Sequence, residues 1–243
     1  MFFFAPLIAV PVLYLVIYVL AAVVPAVVLM RYVYRQDRVE REPPWLLGGL
    51  ALQGVYAALA AIVLETLGQS VLNALVSRDN PRHVVLTAFL VVAVVEEGTK
   101  FFFLYRRTWR DPNFNYRFDA IVYAVFVSLG FAAFENVKYV FSYGLSVALP
   151  RAILAIPGHM GFAVFMGWFY GRAKLRSDLG DGLGARVNLA LGYLAAVFLH
   201  GMYDTCCMTG TARSTLVFAA VVAVLYLAVF RLIRREARND TPV

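Results

Sequence analysis

Seven apolar stretches, each close to the length of a bilayer crossing, follow one another along the chain with short polar intervals between them. A membrane-spanning helix needs about 20 predominantly apolar residues. Runs at 3–30, 45–66, 84–105, 119–142, 150–171, 187–208 and 214–233 meet that length. The second has an open end, because "LETLGQSVLNALVS" either prolongs its helix or lies along the interface. No Ser- or Pro-rich linker and no internal repeat divides the series. The pattern predicts an all-α, polytopic transmembrane helical bundle of about seven spans, forming one domain over residues 1–243.

Composition agrees. Of 243 residues, 62% are hydrophobic and only 15% charged, against about 25% charged in an average soluble domain. The net charge of +7 would suit a nucleic-acid partner if it formed a patch interleaved with aromatics, but no such segment exists. The basic residues instead sit in the short intervals. Arg31, Arg35, Arg38 and Arg41 follow the first span, Arg106, Arg107, Arg110 and Arg117 the third, and Arg172, Lys174, Arg176 and Arg186 the fifth. Arg231, Arg234, Arg235 and Arg238 close the chain, whereas the other side has only Arg78, Arg82, Arg151 and Arg213. By the positive-inside rule the N-terminus is outside and the C-terminus cytoplasmic. A wrong span count would scramble this alternation. The first run lacks a basic leader and exceeds a signal-peptide core, so it is expected to remain as a span. The two cysteines, Cys206 and Cys207, are adjacent and give neither a disulfide framework nor a CxxC metal pair. The expected location is the cell membrane of a prokaryote, with multiple passes.

Against this background, "VVAVVEEGTKFFFLY" at 91–105 stands out. Glu96, Glu97 and Lys100 cost on the order of 2–4 kcal/mol each in a span. Further ionisable groups lie in later spans: Glu135 beside Asn136, His159 in "IPGHMGF", and His200 with Asp204 in "FLHGMYD". At about 1.5 Å rise per residue, four spans carry acids or imidazoles at similar depths, from the midplane to the outer half. Glu96 with Lys100, and His200 with Asp204, are i,i+4 pairs that share a helix face. Either Glu96 is held by Lys100 while Glu97 faces a cavity, or the reverse. Pro157 should free the carbonyl of Ile153 and loosen the helix before His159, a break tolerated where backbone lines a wet cavity. Lys138 is expected to snorkel outward, Glu65 to sit near the outer end of its helix, and Asp119 to cap the fourth span.

The motifs EExxK (Glu96, Glu97, Lys100), FxxxEN ending at Glu135–Asn136, His159 before a Gly-rich apolar stretch, and HxxxD (His200, Asp204) occur in this order on successive spans. Together, over residues 85–208, they resemble the PrsW family of intramembrane proteases, related to the CAAX-prenyl-protease and bacteriocin-processing membrane group. Family members commonly have Gly where Ala120 stands, which bears on packing. The resemblance implies peptide-bond hydrolysis, with a membrane-bound substrate such as an anti-sigma-factor-like regulator cut on the extracytoplasmic side.

Such hydrolysis needs an activated water, a stabilised oxyanion and a protonated leaving amine. A partly desolvated carboxylate, Glu97 or Glu96, suits the general base. His159 and His200 would bind the water or oxyanion, with Asp204 orienting His200. Alternatively His159, His200 and one of Glu135 or Asp204 form a three-ligand zinc site with an open position. HExxH is absent, and the sequence leaves both versions open. The alternative from another class is a proton- or ion-coupled transporter, although the paired broken helices common in transporters are not seen.

Overall fold

Lipid leaves no water for an unpaired backbone group, so a spanning chain must close its hydrogen bonds within each segment. The computed structural model describes the backbone of residues 5–243 and the side chains from residue 12 onward. The start of the first run at residue 3 lies outside the described residues. Helix α1 (Ala5–Gln36) is followed by α2 (Pro44–Leu75). Short α3 (His83–Leu86) passes through a π-helical turn, Thr87–Ala93, into α4 (Val94–Thr108) as one bent rod. After α5 (Asp119–Tyr143), α6 (Ala148–Ile153) and α7 (Ala155–Asp178) form a second broken rod, and α8 (Gly182–Thr209) and α9 (Ala212–Arg238) complete the bundle.

The seven rods coincide with the seven apolar runs. Six are long and apolar enough to cross a membrane by length and composition. The α3–α4 rod is not among these six: it is interrupted by the π turn, and α4 carries Glu96, Glu97 and Lys100. The open end of the second run is settled as helix, because α2 continues to Leu75 and is 32 residues long. At 1.5 Å per residue that is about 48 Å, beyond the ~30 Å hydrocarbon core.

α5 is the axis of the bundle. Every residue from Asp119 to Ala132 is buried, as expected for a helix apolar on all sides. Small residues let its neighbours come close. A Cβ on Gly54 of α2 would run into the Val127 carbonyl of α5, and one on Gly130 of α5 into the Ala51 carbonyl of α2. On the opposite side, a Cβ on Gly167 of α7 would lie 2.7 Å from the Ala120 carbonyl. The Ala120 methyl itself packs where Gly171 lacks a side chain, 3.2 Å from the position a Cβ would take there. This is backbone-to-backbone packing of the small-residue type.

The basic intervals gather at one end, as the charge count requires. There Arg117 pairs with Glu236 at 3.5 Å, and Asn115 donates to Glu40 at 3.0 Å. The C-terminal tail runs along the α4–α5 loop: Arg117 N–H donates to the Thr241 carbonyl and Phe118 N–H to Asp240. Asp119 does not cap α5 as expected. Its carboxylate accepts the backbone N–H groups of Asn115 and Tyr116, closing the preceding loop. Asp37, Glu42 and Asp119 are buried at this end, each with one carboxylate oxygen lacking a partner among the described residues. Burial pushes the Asp37 carboxyl up to about 6 and that of Glu42 up to about 7, and neighbouring acids add to both.

Two outcomes follow. Gly130→Leu cannot be accommodated against the α2 backbone, so the detergent-solubilised variant should lose several degrees of Tm or fail to fold, whereas Gly48→Ala, with open space at its Cβ, should not. Because the folded state holds protons on Asp37 and Glu42 that the unfolded chain releases, their contribution to stability is complete below about pH 4 and disappears as pH rises through about 7. Tm should therefore fall between pH 5 and pH 8, and Asp37→Asn with Glu42→Gln should flatten that slope.

Candidate active site

Lys100 organises the centre of the bundle. Its ammonium is buried, 2% exposed, and reaches Glu97 Oε1 at 2.8 Å, Glu96 Oε2 at 3.1 Å and His159 Nδ1 at 3.1 Å. Spacings of three and four residues on α4 bring both acids to the same lysine. The ring of Phe131 from α5 lies 4.1 Å from Nζ and adds its π face. The two glutamates thus share the lysine rather than dividing it as expected.

Hydrogen-bond direction fixes the state of His159. An ammonium only donates, so Nδ1 accepts, and the ring proton is on Nε2, which donates to Glu135 Oε2 at 3.1 Å. Glu135 is held in turn by Arg151 Nη2 at 2.8 Å, and Arg151 Nε donates to Asn136 Oδ1 at 2.8 Å. The guanidinium stacks on Tyr139 at 3.7 Å, and Asn136 donates to the Ala22 carbonyl of α1. His200 Nδ1 lies 2.8 Å from Glu97 Oε1, and its Nε2 lies 3.4 Å from Asp204. Phe162 stacks on the His200 ring at 4.8 Å, and the two imidazoles are 5.4 Å apart.

Irregular backbone supplies the room for this cluster. The chain breaks at Leu154, between α6 and α7. The Ile153 carbonyl that Pro157 was expected to free accepts the Tyr226 hydroxyl of α9 at 2.7 Å. Ser128 of α5 donates to the His159 carbonyl at 2.9 Å. The π turn precedes the two glutamates, and its Phe89 ring rests on Gly201, where any Cβ would collide with it. Such turns recur where a helix departs from regularity for function.

These breaks open a cavity of about 410 Å³ lined by Glu65, Glu96, Glu135, His159, His200 and Asp204, far more than the ~30 Å³ of one water. All six sequence-derived candidates are brought together, five of them at the wall, while Glu97 sits behind it with no exposure. Two participants escaped the sequence reading. Glu65 lines the cavity instead of merely ending a helix, and Arg151 neutralises Glu135. A sparse arginine beside Pro150, on the side poor in positive charge, was the available sign. Lys138, expected outside the site, is exposed and lies on the cavity wall.

Donors for a metal ion are also present. Ligand atoms of Glu96, Glu97, His159 and His200 lie within 4.8 Å of one another, and Glu97 Oε2 is buried without a hydrogen-bond partner. Two imidazoles and two carboxylates suit a divalent ion such as zinc, so the donor set fits. Glu135 and Asp204, considered as ligands from the sequence, instead contact the outer nitrogens of the two imidazoles. Such contacts orient histidine ligands. The Lys100 ammonium uses three of the same four donors, so an ion and this ammonium compete for one place.

Residues 42–232 match the PrsW family of intramembrane metalloproteases. The chain is 30% identical over 219 residues to Protease PrsW of Oceanobacillus iheyensis, covering 90% of this chain and 95% of the relative. It is 35% identical over 184 residues to Protease PrsW of Geobacillus kaustophilus, covering 76% of each. With Protease PrsW of Bacillus subtilis it shares 29% identity over 185 residues, covering 76% of this chain and 79% of the relative. No solved structure matches the chain. The relatives are named as proteases, which leaves the transporter alternative without support. With its motifs gathered on α4, α5, α7 and α8 around one cavity, the chain belongs to the PrsW family and is a multi-pass intramembrane protease.

Proposed function

We propose that the cavity between α4, α5, α7 and α8 is where the peptide bond is cut, and that Glu96 is the general base. The observation that carries this reading is the juxtaposition of ligand atoms of Glu96, Glu97, His159 and His200 within 4.8 Å of one another, beside a cavity of about 410 Å³. Glu96 faces the cavity whereas Glu97 lies behind it, which assigns the water-facing role to Glu96 and an anchoring role to Glu97. Glu96 takes a proton from water and returns it to the leaving nitrogen. Glu135, steadied by Arg151, fixes the His159 ring with its Nδ1 lone pair inward. Asp204 and Phe162 fix His200, which in the metal-free version offers a hydrogen to the developing oxyanion.

Glu97, His159 and His200 would hold a zinc ion, which when bound would supply Lewis acidity toward water and the scissile carbonyl. The substrate is a membrane-anchored protein, of the class of anti-sigma-factor-like regulators, cut in the outer half of the bilayer. The family membership supports the substrate class, and the positions of the site residues in their helices with the N-outside topology support the depth of the cut.

Cleavage of a single-span fluorogenic peptide by protein reconstituted in vesicles tests the assignment. Glu96→Gln should lower kcat by about 10²–10⁴-fold with little change in KM, and Glu65→Gln should remain within a few-fold of wild type. Wild-type rates for Glu96→Gln, Glu97→Gln and His200→Ala together would remove the cavity from the reaction. Elemental analysis should find close to one zinc per active chain, and a chelator should lower both activity and Tm. Fully active metal-free protein would overturn the zinc assignment and leave the carboxylate mechanism.

A further inference from the structure

A second large cavity lies at the opposite, basic end of the bundle, away from the site. It is a groove of about 500 Å³ between α1 and the start of α2, lined by Val27, Met30, Leu47 and Phe126 on its apolar side and by Arg31, Arg35 and Arg41 on its polar side. Val27, Met30 and Arg31, and Tyr34 and Arg35, recur at helical spacing and so lie along one stripe of α1. Among the described residues no acidic side chain lines the groove, and none of its three arginines has a carboxylate partner. Arg41 faces the Tyr34 ring at 5.7 Å and donates only to the Asp37 carbonyl, at 3.4 Å.

The α2 side is equally open. Gly48 lines the groove, and a Cβ there would meet nothing within 4 Å. Helix α2 starts at Pro44 with no side-chain cap, so the positive end of its dipole adds to the arginines. Trp45, 65% exposed, marks this level as the membrane–water interface, where tryptophan is enriched.

We propose that this groove is a specific site for an anionic glycerophospholipid of the cytoplasmic leaflet. Its phosphate lies among Arg31, Arg35 and Arg41, and one acyl chain lies along Val27, Met30, Leu47 and Phe126. Charge complementarity selects the headgroup: three guanidiniums without a carboxylate partner among the described residues favour anionic oxygens. The apolar floor requires a chain that a free phosphate does not have. The lipid bridges α1 to α2 and α5, and this contact is independent of the protease reading.

The test is lipid binding to the full-length, delipidated protein in neutral detergent, read by native mass spectrometry and by Tm. Phosphatidylglycerol should remain bound and raise Tm, whereas phosphatidylcholine and inorganic phosphate should do neither. The triple variant Arg31→Gln/Arg35→Gln/Arg41→Gln should bind phosphatidylglycerol about tenfold or more weakly. Gly48→Leu, which fills the groove without changing charge, should weaken it as well. Arg106→Gln/Arg107→Gln/Arg110→Gln, at the same end but outside the groove, should bind as wild type. Equal binding of the two lipids, undiminished phosphatidylglycerol binding in the triple variant, or equal stabilisation by inorganic phosphate would overturn the proposal. Should the triple variant fail to fold, the wild-type comparison of the two lipids and the Gly48→Leu result decide the matter.

Discussion

The structure depends on the neutralisation of charge buried in a bundle that must otherwise be apolar. Lys100 is the pivot: one ammonium, excluded from water, answers two carboxylates of its own helix and the imidazole of another. Removing one partner of such a buried group typically costs about 3–5 kcal/mol, because the charge left behind has no solvent. From this centre the contacts extend outward in two arms. His159 leads through Glu135 and Arg151 to Asn136 and the α1 backbone. Glu97 leads through His200 to Asp204. Helices α4, α5, α7 and α8 are thus joined by the same polar groups that line the proposed site.

Helix packing and helix breaking divide the work. On α5, glycine and alanine bring backbones into contact and exclude space, which makes α5 a rigid support for Glu135 and Phe131. On the other side of the cluster the π turn before Glu96 and the break at Leu154 create space. The freed Ile153 carbonyl is not left unpaired: it accepts the Tyr226 hydroxyl at 2.7 Å, while the Leu154 carbonyl accepts the Gly158 N–H. Both irregular segments contribute to the cavity wall, through Val92 of the π turn and through Leu154 at the break.

Much of this was legible in the residues. Apolar run length gave the seven rods, since a span has a minimum length set by the bilayer. Alternation of arginine-rich intervals gave their common end, which the contacts of Arg117, Asn115 and the C-terminal tail display. The six intramembrane acids and histidines were conspicuous because each is expensive in lipid without a partner. What stayed hidden was partnership across helices. The i,i+3 contact of Lys100 with Glu97 was as available to local spacing as the i,i+4 contact with Glu96, but its contact with His159 depends on the approach of α7. Arg151 sits at the outer edge of the fifth apolar run, and only the turn from α5 into α6 brings it onto Glu135. Asp119 reads as a helix cap in the sequence, but it is the first residue of α5, and the loop before it offers the N–H groups of Asn115 and Tyr116.

The claim at the centre of this account is that the substrate's scissile bond enters the cavity around Glu96, His159 and His200. Photo-crosslinking addresses it directly. A single-span peptide carrying a diazirine beside the cleaved bond is irradiated with the Glu96→Gln protein, and the adducts are mapped by mass spectrometry. The account predicts adducts on cavity-wall residues such as Tyr139, Leu154, Tyr203 and Met208. Adducts confined to the lipid-facing surfaces of α1, α2 or α9, with none on that wall, would contradict it.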